Sequence, residues 1–168
     1  MRQVFIFFVI VVMVSMALMS CTPDNDVQAD SGNALKFVYN GVSMAPGDDF
    51  ADIGARLGDP DGYYEAASCA FDGKDKIYTY GSVQISVSPL DGKDIIYMIT
   101  LLDDSLATPE GVCVGADKAS VISAYGEHGT DKGSSLTYNT DKTDLVFLIR
   151  DDCVTSVQYR YVDAVINS

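Results

Sequence analysis

The sequence predicts an α+β fold: two tandem helix-β-β-β repeats, with antiparallel meanders carrying the helices on one face. Two self-matches and a turn pattern predict it. Gly47–Asp59 aligns without gaps on Gly115–Glu127. Further along, Ile77–Tyr80 meets Ser135–Tyr138, Asp94–Ile96 meets Asp152–Val154, Ile99 meets Val157 and Leu101 meets Tyr159, all 58 residues apart. β-rich runs at Val83–Pro89 and Thr143–Ile149 are each followed by turn residues, Asp91-Gly92-Lys93 and Arg150-Asp151. A repeated supersecondary unit is the signature of halves that cannot bury their apolar faces alone.

Each element has a local reason. In the first match, Gly and Asp open the segment, apolar residues fall at Ile53/Leu57 and Val121/Tyr125, and Gly58 or Gly126 follows. A spacing of four puts those residues on one helical stripe, and glycine supplies the left-handed cap. Strands of five to eight residues joined by Asp/Gly turns read as a meander. Short lead-ins, Phe37–Met44 and Gly111–Val114, precede the helices, and the first copy alone has a long helix-to-strand loop, Pro60–Asp75.

The N-terminus carries an address. Arg2 is the one charge before a run from Val4 to Met19 that is apolar except for Ser15, and Ser20-Cys21 is followed by polar Thr22-Pro23-Asp24. A basic start, an apolar core and a small residue before the cut make an export signal. A cysteine directly after the cut is what a bacterial lipoprotein needs, its thiol accepting a diacylglyceryl group. The alternative is an uncleaved helix, for which the run stands at the lower limit of a bilayer span. The division expected is a signal peptide over residues 1–20, lipidated Cys21 and a tether over 21–33, a first repeat over 34–107 and a second over 108–168. The place expected is the extracytoplasmic face of the cell membrane.

With Arg2 removed, ten basic residues stand against twenty-four acidic ones, a net charge of −14. That balance excludes nucleic acid and anionic headgroups as partners, because both are bound by basic patches. The membrane is reached through the lipid on Cys21. Besides Cys21 there are Cys69, Cys113 and Cys153; a Cys113–Cys153 bridge is one arrangement and three reduced thiols the other. The absence of any CxxC, with His128 as the lone histidine, predicts no zinc site.

The stretch Ser68-Cys69-Ala70-Phe71-Asp72-Gly73 through Tyr80-Gly81 resembles a segment of small uncharacterised lipoproteins of Gram-positive anaerobes. Asp94–Tyr97, Leu102-Asp103-Asp104, Thr108–Gly111, Gly115 and Tyr125-Gly126 continue the likeness over nearly all of the mature part. The resemblance implies a lipoprotein signal and brings no functional residues with it. More distantly, the helix-plus-meander plan is similar to the β-lactamase-inhibitor-protein fold and to small outer-membrane-assembly lipoproteins. That likeness implies binding of other proteins through a sheet face or its loops, although architecture alone does not transmit function.

No catalytic constellation stands out, so the expectation is not an enzyme, with no cofactor and no metal. Asp48, Asp49 and Asp52 suit the first turn of a helix dipole. Asp59, Asp61 and Glu65 lack the ligand ladder of a calcium loop. There is no nucleophile elbow, phosphate loop or dinucleotide fingerprint. Tyr63 and Tyr64, in the loop that only the first repeat possesses, are the candidate partner contact, since tyrosine is enriched at interfaces. Two classes of function follow: a lipid-anchored envelope binding module for a protein partner, or a cell-wall enzyme or enzyme modulator.

Overall fold

The computed structural model describes residues 35–69, 72–140 and 142–162. Cys21, the signal and the tether lie outside them. In chain order the elements are β1 (Phe37–Tyr39), β2 (Val42–Met44), α1 (Phe50–Leu57), β3 (Gly62–Ala67), β4 (Lys74–Tyr80), β5 (Val83–Leu90) and β6 (Lys93–Leu101). Then come α2 (Lys118–Tyr125), β7 (Thr130–Asp131), β8 (Ser135–Asn139), β9 (Thr143–Arg150) and β10 (Cys153–Tyr161).

The fold class departs from expectation. The chain is mostly β, with ten described strands and two helices of eight residues each. Eight strands form one antiparallel sheet in the order β3-β4-β5-β6-β10-β9-β8-β7, and β1 and β2 form a separate hairpin. It is not an α+β protein with helices laid along one sheet face. The reason is local: β3 occupies the stretch predicted to be a loop, β7 adds a further short strand, and each helix has only about two turns. Phe50 and Ile53 of α1 and Val121 of α2 are the helical side chains that reach full burial.

The two halves are built from matching parts. The Gly47 N–H donates to the Ile96 carbonyl at 2.7 Å and the Ile96 N–H to Asp48 at 2.9 Å. In the second half, the Gly115 N–H donates to Val154 and the Val154 N–H to Ala116, both at 2.8 Å. Asp49 and Asp117 cap their helices by accepting from the Ala51 and Ser120 N–H groups, at 3.1 and 2.6 Å. Gly58 and Gly126 end them at φ of 82° and 85°, a backbone region that side-chain-bearing residues rarely adopt. Tyr80 then donates to the Gly58 carbonyl at 3.3 Å, and Tyr138 to that of Gly126 at 2.8 Å. Even the irregularities match. The β5–β6 register slips at Tyr97 and the β9–β10 register at Thr155, 58 residues later. One extra residue at each bulge deepens the strand's twist at corresponding places.

The halves meet where β6 pairs antiparallel with β10: Leu101 opposite Val157, Ile99 opposite Tyr159. On the apolar face Ile99 stands between Ile85 and Tyr159, and Val157 between Leu101 and Phe147. These side chains are 0–1 % exposed. Phe37, Val42 and Met44 of the hairpin join the same cluster, with Phe37 against Tyr159 at 5.8 Å between ring centres. Alternation along the strands sends Gln84, Ser86, Thr100 and Gln158 to the opposite face.

The Tyr159 hydroxyl is buried and has no hydrogen-bond partner among the described residues, and burial drives its phenol pKa up. Leaving a polar group unpaired in a core costs about 1–3 kcal/mol, whereas a net hydrogen bond contributes about 1 kcal/mol. Tyr159→Phe is therefore expected to leave the urea-unfolding free energy unchanged or raise it. Tyr138→Phe, which deletes the bond to Gly126, is expected to lower it by about 1 kcal/mol.

Candidate functional site

The sheet ends in unequal edges. β7 is two residues long, whereas β3 runs for six, and Tyr63 through Ala67 are all exposed. Gly62–Ala67 forms a strand because aromatic residues at Tyr63 and Tyr64 favour the pleated backbone and because it pairs in regular register with β4, from Gly62 opposite Thr79 to Ala67 opposite Lys74. The expectation of a loop for Tyr63 and Tyr64 is corrected here. Tyr63 is 51 % and Tyr64 62 % exposed. As strand neighbours they point to opposite faces, so they cannot form one flat contact patch.

Tyr63 lies on the face that leads into the core. Its ring packs on Tyr78 at 5.1 Å, and Tyr78 stacks on Phe50 of α1 at 4.4 Å. Two residues on, Glu65 accepts from the Tyr63 hydroxyl at 2.6 Å and from the Lys74 ammonium. Lys74 foremost, then Tyr63, holds the Glu65 carboxyl below the usual carboxylate range. The bond to Glu65 in turn pushes the Tyr63 phenol up to about 12. Tyr64 stands across from Ile77 on the other face. Behind this edge a 2.5 Å ion pair joins Lys76 to Asp94, linking β4 to β6.

A concavity of about 910 Å³ opens between α2 and the loop before it. Asp104, Glu110 and Asp117 contribute carboxylates to a wall otherwise made of small residues. Two of the three are engaged. Glu110 accepts from the Tyr125 hydroxyl, and Asp117 caps α2 through Ser120, which lowers its pKa. Other acidic residues singled out in the sequence also serve the backbone. Asp48 accepts from the Ala45 N–H at 2.8 Å, Asp61 from the Gly81 N–H at 2.7 Å, and Asp103 from the Ser105 N–H at 2.9 Å. Among the described residues no group of three or more His, Cys, Asp or Glu is placed to hold a metal ion. His128 is exposed, and its ring meets Tyr138 edge-on at 5.4 Å.

Neither expected arrangement of the three thiols forms: Cys113 is disulfide-bonded, but not to Cys153. Cys113 is buried opposite Ala107, whereas Cys153 opens β10 opposite Arg150 and Asp117 and is a free, exposed thiol. Cys153 matches Ile95 in the repeat, and Ile95 is itself only half-buried, beside Ser88 on the sheet's second face. Cys69 is likewise free and exposed.

No protein-family model matches the sequence, and no curated protein matches it. A solved structure does share the architecture. It is a 1.5 Å crystal structure of an extracellular protein containing a SCP domain from Bacillus anthracis str. Ames, with a TM-score of 0.52 and 12% sequence identity. The match covers 86% of this chain and 50% of that one. This chain thus spans half the length of that protein. At such low identity the likeness is one of fold.

Sequence reasoning missed the partners of the tyrosine pair. Tyr78, Glu65 and Lys74 become neighbours only through the β3–β4 register, and the one local sign was the aromatic pair within Gly62–Ala67.

Two expectations follow. Tyr63 has a raised folded-state pKa, so its contribution to stability is present below about 10 and is lost as pH rises through about 12. Glu65, lowered, contributes above its unfolded value of about 4.3 and loses that contribution as pH falls through its folded value. In a tyrosinate absorbance titration, Tyr63→Phe should remove a step near 12, and Glu65→Gln should shift that step toward about 10. With a chromogenic disulfide on folded protein, Cys69→Ser and Cys153→Ser should each abolish one fast-reacting thiol.

Proposed function

We propose that this chain is a lipid-anchored module on the extracytoplasmic face of the cell membrane that binds another protein and carries out no catalysis. The observation that carries the reading is the β3 edge: an unusually open, tyrosine-bearing strand at the end of a sheet whose other edge is blunted. Natural sheets shorten, charge or cover such edges unless they are used, because unpaired N–H and C=O groups recruit further strands. Strand addition to an edge is a recurring mode of protein recognition.

Place is supported by the layout of residues 1–21 and by the extracellular setting of the structural neighbour. Lipid on Cys21 would supply two or three acyl chains, each buried methylene worth about 0.8 kcal/mol, enough for stable attachment. Glu110 and Asp117 of the groove and Asp48 before the first helix are occupied by tyrosine and backbone contacts, which favours a binding role over that of a cell-wall enzyme.

In a bacterial host fed an alkyne fatty acid, the wild-type chain should take up label and sediment with membranes. Cys21→Ala should lose the label. An unlabelled wild-type chain, or a labelled Cys21→Ala chain, would overturn the anchoring.

A further inference from the structure

We infer that the β3 edge takes the β3 edge of a second copy of this chain, antiparallel about a twofold axis beside Tyr64, joining two eight-stranded sheets into one. This deepens the reading above by naming the partner.

Among the described residues β3 has β4 as its one strand neighbour, and Tyr63 through Ala67 are exposed. The edge holds no proline and a single acidic residue, Glu65, which Lys74 neutralises. On a chain of net charge −13 this is a place where two copies can approach without opposing carboxylates.

Symmetry then selects the register. A twofold axis normal to the sheet keeps every side chain on its own face, so it must pass beside a residue and not between two. Axes beside Tyr64 and Glu65 pair five residues of each strand, whereas those beside Tyr63 and Ala66 pair only three. Beside Tyr63, Glu65 would face Asp61 of the second copy; beside Glu65, the two Glu65 carboxylates would face each other. Like charges directly opposite destabilise a strand pair. Beside Tyr64, the two Tyr64 rings meet on one face, and on the other each Tyr63 faces a Glu65. That last pair is one the chain already makes internally, since the Tyr63 hydroxyl donates to Glu65 at 2.6 Å. Gly62 then faces Ala66, two small residues that let the strands close.

The alternative of β3 joining β7 of another copy fails on length, because β7 offers two residues. Such head-to-tail pairing would also run on without closing. A six-residue edge buries less than the standard protein–protein interface of about 1,600 Å², so the dimer is weak in dilute solution. Confinement of both copies to one membrane plane raises their effective concentration.

The test uses the full chain expressed in bacterial cells, with Cys69→Ser and Cys153→Ser as background. Residues directly opposite have Cβ atoms about 4.5–5.5 Å apart, and diagonal neighbours stand about 7–8 Å apart. Only the former approach disulfide range. On oxidation of intact cells, Tyr64→Cys should form a covalent dimer at least about fivefold more than Tyr63→Cys or Glu65→Cys. Co-expressing Tyr63→Cys with Glu65→Cys should restore crosslinking between those two. Because Tyr64 is exposed, its replacement leaves the core intact, and thermal unfolding of each variant checks this. Equal crosslinking by all three single variants, none at position 64, or a maximum at 63 or 65 would overturn the inference. A photocrosslinker at position 64 separates the two readings. Adducts to a different protein overturn self-pairing and leave the binding module standing, and the absence of any adduct overturns both.

Discussion

Eight strands can act as one sheet here because β6 and β10 hydrogen-bond along the middle of the chain's apolar face. Each half alone has four strands and a helix of eight residues, too little to remove its aliphatic side chains from water. Pairing Ile99 with Tyr159 and Leu101 with Val157 places these residues between neighbours on both sides. Full burial of one such side chain contributes about 1.5–3 kcal/mol. The β1–β2 hairpin and the helix ends pack onto this seam. Loss of the seam would expose both halves together.

The seam also explains the inequality of the ends. Strand order runs outward from β6 and β10, so β3 and β7 become the two outer edges. In the second half the edge is cut to Thr130–Asp131, while in the first it runs on through two tyrosines and two alanines. Two similar halves thus present dissimilar surfaces. The function proposed for the chain belongs to that asymmetry and not to the repeated framework.

Much of the framework was legible in the sequence. The matched glycines and aspartates became helix caps and strand bridges, and the turns at Asp91-Gly92 and Asp151-Asp152 use left-handed backbone as such residues allow. What misled was the fold class. Two turns of helix give a clear periodic signal but little mass, and the Pro60–Asp75 stretch has glycine and charge enough to resemble a loop although Gly62–Ala67 is a strand. The site was legible only by residue type. Tyr63 and Tyr64 stood out, but the contact of Tyr63 with Tyr78, and of Glu65 with Lys74, depends on the register with the next strand, which residue types alone do not fix. Cys153 shows the same limit: a position matched to isoleucine in a repeat is buried only if that isoleucine is.

Native-state hydrogen exchange read residue by residue tests the central role of the seam most directly. Amides of residues 98–101 and 157–160 should exchange last, at one common free energy equal to that of global unfolding. Those of β3 should exchange among the first in the sheet. Two different protection levels for the two sides of the seam, with one half opening while the other stays closed, would contradict the account.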